Sequence, residues 1–149
     1  VRAVLTRVTK ASVRVGGETV GAIDHGLLVL LGVARDDDEN DARSIAEKIL
    51  GIRIWNDETG KMNCDIHQCG GAVLLVSQFT LLGDARSGKR PSFSAAAPGE
   101  QARRLYEFVG TVLEGGALRV AYGQFGEHMA VESINDGPVT LLLDSKRLF

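Results

Sequence analysis

The sequence predicts an α+β fold: a largely antiparallel sheet of six or seven strands with two main helices. Three observations lead there. Strand-like stretches, alternating or short and apolar, fill both ends and the middle of the chain. Only two segments carry apolar residues at helical spacing, and they do not alternate strictly with the strands as a doubly wound parallel sheet would require. The length of 149 residues suits one domain, residues 1–149, with a real core, and only three prolines interrupt it.

Residues 2 to 15 begin the sheet, with Ala11, Val13 and Val15 on one face and Ser12 and Arg14 on the other. Gly16-Gly17 is a two-residue hairpin signal, so Glu18 to Ile23 returns antiparallel. Leu27 to Val33 is almost continuously apolar and reads as a central strand buried on both faces. The acidic run Asp36 to Glu39 then caps a helix whose stripe is Ala42, Ile45, Ala46 and Ile49. It lacks the ligand spacing of a calcium loop. A strand over Val73–Leu82 follows, then a Gly- and Ser-bearing loop. Pro98-Gly99-Glu100 opens the second helix, striped by Ala102, Leu105, Val109 and Val112 and ended by Gly115-Gly116. Leu118–Ala121, Met129–Ile134 and Val139–Leu143 complete the sheet.

Two runs carry chemistry. Ser77-Gln78-Phe79-Thr80 closes the apolar stretch Ala72 to Val76, and polar residues at the mouth of a buried strand face a ligand or bond locally. Asn135-Asp136-Gly137-Pro138-Val139-Thr140 places a Gly-Pro step between two strand-like segments. Glycine admits close backbone approach, and proline lowers the cost of a cis bond to about 0.5–1 kcal/mol. Together they describe a site of backbone amides, carbonyls and a hydroxyl.

Ser77 to Leu81 and Asn135 to Thr140 resemble the signature motifs of the D-aminoacyl-tRNA deacylases. Arg2 to Val8, Lys89 to Phe93 and Gly123 to Gly126 are similar to other segments of that family, in the same order, so the likeness spans nearly the whole chain. The resemblance implies a barrel-like sheet with the helices outside, a homodimer, and hydrolysis of the ester joining a D-amino acid to the 3′ end of tRNA. It implies that Gly137-Pro138, in cis, enters the partner's site and excludes L side chains sterically, with glycyl esters also admitted. Asn135 and Phe125 join it as substrate-binding residues. No metal or organic cofactor is implied, and the ribose 2′-hydroxyl assists the reaction in place of an enzyme base. Glu127 departs from the pattern, standing where the family commonly has a small residue.

On this reading the N–H groups of Phe79 and Thr80 stabilise the oxyanion, with the Thr80 hydroxyl as helper, since a threonine without a base is a weak nucleophile. Ser77 and Gln78 bind the ribose hydroxyls or the ester. Phe79 either stacks on the adenine or packs.

Other chemistries fare worse. Net charge is −2, so no global basic field exists to coat RNA or DNA, and DNA is not an expected partner. Arg86, Lys89 and Arg90 are either a local patch for the tRNA end or solvated loop charges. Gly83 to Lys89 mimics a phosphate loop but continues with Arg90, not Ser or Thr, and then Pro91. No G-x-S-x-G nucleophile elbow occurs, and His25, His67 and His128 read as surface residues. Cys64, His67 and Cys69 are one ligand short of a closed zinc site and read as a turn. No apolar run reaches the roughly eighteen residues of a membrane helix, so a cytosolic protein with no membrane partner is expected. The alternatives are a non-chiral hydrolase of small esters, or a module that binds the aminoacyl end without turnover.

Overall fold

The computed structural model describes residues 1–149. In chain order it contains β1 (Arg2–Val15), β2 (Glu18–Ile23), β3 (Gly26–Gly32), α1 (Glu39–Gly51), β4 (Trp55–Asn56), β5 (Met62–Cys64), β6 (Ala72–Ser77), α2 (Gly99–Gly115), β7 (Val120–Tyr122) and β8 (Ala130–Asp144). A 3₁₀ turn, Phe79–Leu82, follows β6.

The main sheet runs β2-β1-β3-β6-β7, with β8 pairing β1. The long β1 organises it: Arg2 to Val8 pair with β3, Ala11 to Val15 with β2, and β8 lies antiparallel along the strand. Gly21 on β2 sits so near β7 that a Cβ would lie 2.2 Å from the Tyr122 carbonyl oxygen. That approach curls the sheet into a nearly closed barrel, with α1 and α2 outside. The sheet is mixed, because β3–β6 and β6–β7 are parallel. Each of those connections contains one long helix, the crossover that parallel neighbours require.

As its unbroken apolar run predicts, β3 is buried on both faces. Leu27, Val29 and Leu31 pack with Ala42, Ile45, Ile49, Leu105, Val109 and Leu113 in the larger core. Leu28 joins Val8, Val13, Leu74 and Val76 in a second cluster. The start of α1 is a capping box: Asp38 accepts from the Asn40 and Asp41 amides, and Asp41 accepts from the Asp38 amide. Burial raises the Asp41 pKa, but bonds from the Asp38 amide, Ser145 and Lys146 outweigh it and bring the carboxyl to about 2.

Three local features differ from the sequence reading. The strand expected over Val73–Leu82 ends at Ser77, and the chain turns tightly through Phe79–Leu82. Thr80 is therefore a turn residue. The reason lies at Gly32, beside which the Gln78 carbonyl packs closely enough to exclude any Cβ. The segments expected over Met129–Ile134 and Val139–Leu143 are one strand, irregular in register opposite Thr6 to Lys10, with a cis Gly137–Pro138 bond. The small hairpin β4–β5 leaves no sequence signal, its strands being too short for periodicity to register.

In the cysteine segment, Cys64 ends β5, and Cys69 lies in the turn before β6; both are free thiols. The His67 Nε2 lies 2.6 Å from the Gly116 carbonyl, fastening this turn to the end of α2. His25 Nε2 similarly lies 2.7 Å from the Cys69 carbonyl. No helix is long and apolar enough to cross a membrane.

Candidate active site

A cavity of about 460 Å³ opens where β6 ends, between α2 and the turn before β8. Ser77, Gln78 and Phe79 form one wall, and Phe125 to Met129 another. Gly99, Ala102 and Tyr106 of α2 close it on a third side. Its floor is apolar, from Leu31, Val33 and Val76. The structure thus brings Ser77, Gln78, Phe79 and Phe125, far apart in sequence, to one cavity. Tyr106 donates its hydroxyl to the Leu75 carbonyl at 2.8 Å, which fixes its ring against that of Phe125, 5.7 Å away between centroids. Burial, with the Glu107 carboxylate second, pushes the Tyr106 phenol far above its ordinary range, so it stays protonated. Glu127 and His128 also line the cavity. No sequence signal marked His128 as a wall residue, because only the fold brings its turn beside Gln78.

The turn at the cavity mouth has a specific hydrogen-bond pattern. The Gln78 amide donates to the Leu31 carbonyl at 2.7 Å, and the Leu81 amide donates to the Gln78 carbonyl at 3.2 Å. Between them, the N–H groups of Phe79 and Thr80 donate to nothing else in the chain, and no side chain caps the turn. These are the free donors expected at the start of any helical turn, here directed by a tight 3₁₀ geometry. Gln78 donates its side-chain N–H to the Thr80 hydroxyl at 2.5 Å, which leaves the hydroxyl proton available. Phe79 packs edge-on against Phe93, with centroids 5.2 Å apart, yet stays 57% exposed. Both packing and a free aromatic face are therefore present.

Gly137-Pro138 lies elsewhere. No residue from Asn135 to Thr140 lines the cavity of its own chain. Arg7 of β1, within the Arg2 to Val8 segment singled out above but given no role there, braces the motif from beneath. Its Nε donates to the Asp136 carbonyl at 3.1 Å and stands 3.3 Å from the Asp136 carboxylate. Its Nη1 donates to the Ile54 carbonyl at 2.5 Å. Asn135 spends both ends of its side-chain amide on the loop, donating to Thr140 Oγ1 at 3.1 Å and accepting from the Val139 amide at 3.0 Å. Gly137 has φ +129, and a Cβ on it would lie 2.8 Å from Val139 Cγ2, so only glycine suits the position.

Of the three basic residues after the first motif, Arg86 is already paired. Its Nε and Nη2 grip Asp84 at 2.9 and 2.6 Å, which holds the Asp84 carboxyl far below the usual carboxylate range. Lys89 and Arg90 have no carboxylate partner within ion-pair distance.

Comparison with known proteins places this geometry. Residues 4–144 match a family model described as D-Tyr-tRNA(Tyr) deacylase. A D-aminoacyl-tRNA deacylase of Anaeromyxobacter dehalogenans (strain 2CP-C) is 60% identical over 148 residues, spanning 99% of each chain. One from Thermosipho africanus (strain TCF52B) is 53% identical over the same length and coverage. Among solved structures, a c-Myc DNA unwinding element binding protein superposes with a TM-score of 0.90 at 39% identity, over 97% of this chain and 98% of that one. A probable eukaryotic D-amino acid tRNA deacylase shares the fold at a TM-score of 0.84 and 16% identity, over 96% of this chain and 98% of that one.

Proposed function

The chain belongs to the D-Tyr-tRNA(Tyr) deacylase family, and on that premise we propose how its cavity hydrolyses the ester of D-aminoacyl-tRNA. The terminal adenosine enters the cavity beside Phe125, and Ser77 and Gln78 hold its ribose or the ester. The ester carbonyl points at the N–H groups of Phe79 and Thr80. Water adds to that carbonyl carbon, and the new oxyanion accepts from the two amides. The carbon–oxygen bond to the ribose then breaks, the ribose oxygen takes a proton, and free D-amino acid and tRNA leave. The ribose 2′-hydroxyl supplies proton help, in keeping with the resemblance.

The observation that carries this reading is the pair of unsatisfied amides at the cavity mouth. They are fixed before substrate arrives, and such preorganised donors are worth roughly 10²–10³ in rate each. An arrangement of main-chain groups needs no particular side chain, which explains a site so poor in charge.

Chirality comes from Gly137-Pro138 of a second copy. The motif stands outside its own cavity, is braced by Arg7, and lies on an exposed edge strand. Its rigid backbone, set against the substrate's α-carbon, leaves room for hydrogen but not for an L side chain. D-aminoacyl and glycyl esters therefore enter. A thousandfold preference requires about 4 kcal/mol, within reach of a steric block. Lys89 and Arg90, free of carboxylate partners, meet the tRNA beyond its end, with Arg86 weaker because Asp84 holds it. We assign the protein to the cytoplasm, where its substrate is made.

Matched D- and L-tyrosyl-tRNA test the reading. The D form is hydrolysed and the L form spared at equal enzyme concentration; equal rates on both would favour a general esterase instead. Thr80 gives a second, independent result. Thr80→Ala keeps the N–H and loses only the hydroxyl, so activity falls by about tenfold or less. Replacing the Phe79–Thr80 peptide by an ester, through incorporation of the α-hydroxy acid analogue of threonine, removes the N–H and lowers kcat by roughly 100-fold. A trapped acyl-Thr80 species would make the hydroxyl the nucleophile and reverse these roles.

A further inference from the structure

One cation beside the cavity has no role in the chemistry above. Arg103 follows the wall residue Ala102 on α2, and its guanidinium lies over the Phe125 ring, 4.7 Å from the centroid. Phe125 is itself a wall residue, so the stacked guanidinium is held at the rim of the cavity. Planar guanidinium suits this position, because it can stack on a ring and still present N–H groups to an anion.

Its charge is poorly compensated. The nearest carboxylate is Glu107 at 4.0 Å, with both side chains more than half exposed. Several other arginines are held in ion pairs away from this rim. Arg104 pairs with Glu39 at 3.1 Å, Arg86 with Asp84, and Arg7 with Asp136. With a net charge of −2 there is no diffuse positive field to do the same task.

A substrate that reacts at its terminal ribose carries its nearest negative charge on the 5′ side of that ribose. With the base against Phe125 and the ester at Phe79 and Thr80, that phosphate must leave the cavity at its rim. We infer that Arg103 binds this phosphodiester and so selects a nucleotide end over a free nucleoside ester. The inference rests on the proposed seating of the terminal adenosine. Phosphate contacts of this kind set position and register without reading sequence.

Three substrates separate the possibilities: D-tyrosyl-tRNA, 3′-O-D-tyrosyl-adenosine bearing a 5′-phosphate, and the same nucleoside with a free 5′-hydroxyl. For Arg103→Ala, KM rises about fivefold on the first two, the scale of one exposed ionic contact, while kcat holds. On the unphosphorylated nucleoside the variant equals wild type. The salt dependence of log(kcat/KM) on tRNA becomes shallower by about 0.7, the loss of one phosphate contact to a single strand. Arg103→Lys recovers part of the KM. An equal loss on all three substrates would overturn the inference, leaving Arg103 as a prop for Phe125; so would no loss on any. Should wild type spare the nucleoside esters while hydrolysing D-tyrosyl-tRNA, an unchanged salt slope in Arg103→Ala would overturn it alone. Wild type that spares all three would remove the deacylase reading as well.

Discussion

Gly32→Ala should yield a folded protein with little deacylase activity. The glycine ends β3 directly beneath the turn that bears Phe79 and Thr80. A Cβ there would lie 2.8 Å from the Gln78 carbonyl oxygen, 2.7 Å from Leu82 Cδ2 and 3.1 Å from Leu81 Cβ. The Leu82 methyl can rotate aside, but the Gln78 carbonyl is backbone, and the Gln78 amide is already fastened to Leu31 at 2.7 Å. Relief therefore comes by lifting the turn away from the sheet. That motion carries the two free amides off the position of the oxyanion. Displacements approaching 1 Å cost about 100-fold in rate, whereas overpacking of this size costs about 1–3 kcal/mol of stability. Single-turnover deacylation, with circular dichroism and thermal melting alongside, measures both. Activity within threefold of wild type would show that the turn tolerates the shift and that its amides are not what sets the rate.

The same contact explains what the sequence could and could not reveal. Period and composition located β1, β2, β3 and both helices, because each buries a continuous face whose pattern repeats several times. They misread Gln78 to Leu82 as strand, since Phe-Thr-Leu-Leu suits a strand as well as a turn. What bends it is the space above a glycine 46 residues earlier, as Gln78 packs on Gly32, and no local pattern records such a contact. The cavity was legible only in part for the same reason. Ser77, Gln78 and Phe79 are legible as the run that closes a buried strand, and Phe125 through motif resemblance. Tyr106 and His128 carry no such signal, because only the packing of α2 and of the turn before β8 brings them to the cavity. The resemblance gives Asn135 as a substrate-binding residue, and what the fold adds is that its amide closes the loop around Gly137.

A mixing experiment between two defective chains, one slow and one unselective, is expected to restore D-selective activity. In the first chain Gly32→Ala disturbs the amide turn. In the second, Gly137→Val cannot adopt φ +129 or avoid Val139 Cγ2, so the Gly-Pro loop loses its shape. Neither change touches the other element. β8 pairs β1 alone, leaving its outer edge open, and Val131, Ile134 and Leu142 of this strand are 39, 51 and 59% exposed. An open, apolar edge of that kind is a surface for a second copy to cover. A homodimer of about 32 kDa, twice the 15.9 kDa of one chain, is accordingly expected by sedimentation. In a two-fold dimer each site would take its amides from one chain and its Gly-Pro loop from the other. Every heterodimer then contains one site with both parts intact and one with both damaged, while each parental homodimer contains none. After unfolding and refolding equal amounts together, half of the dimers are mixed, so sites that are both fast and D-selective recover to roughly a quarter of the wild-type number per chain. The recovered activity should also regain preference for D- over L-tyrosyl-tRNA, because the intact site has an intact loop. A fully active monomer, or verified heterodimers without activity, would mean that the loop serves its own chain and that the cavity gains its selectivity some other way.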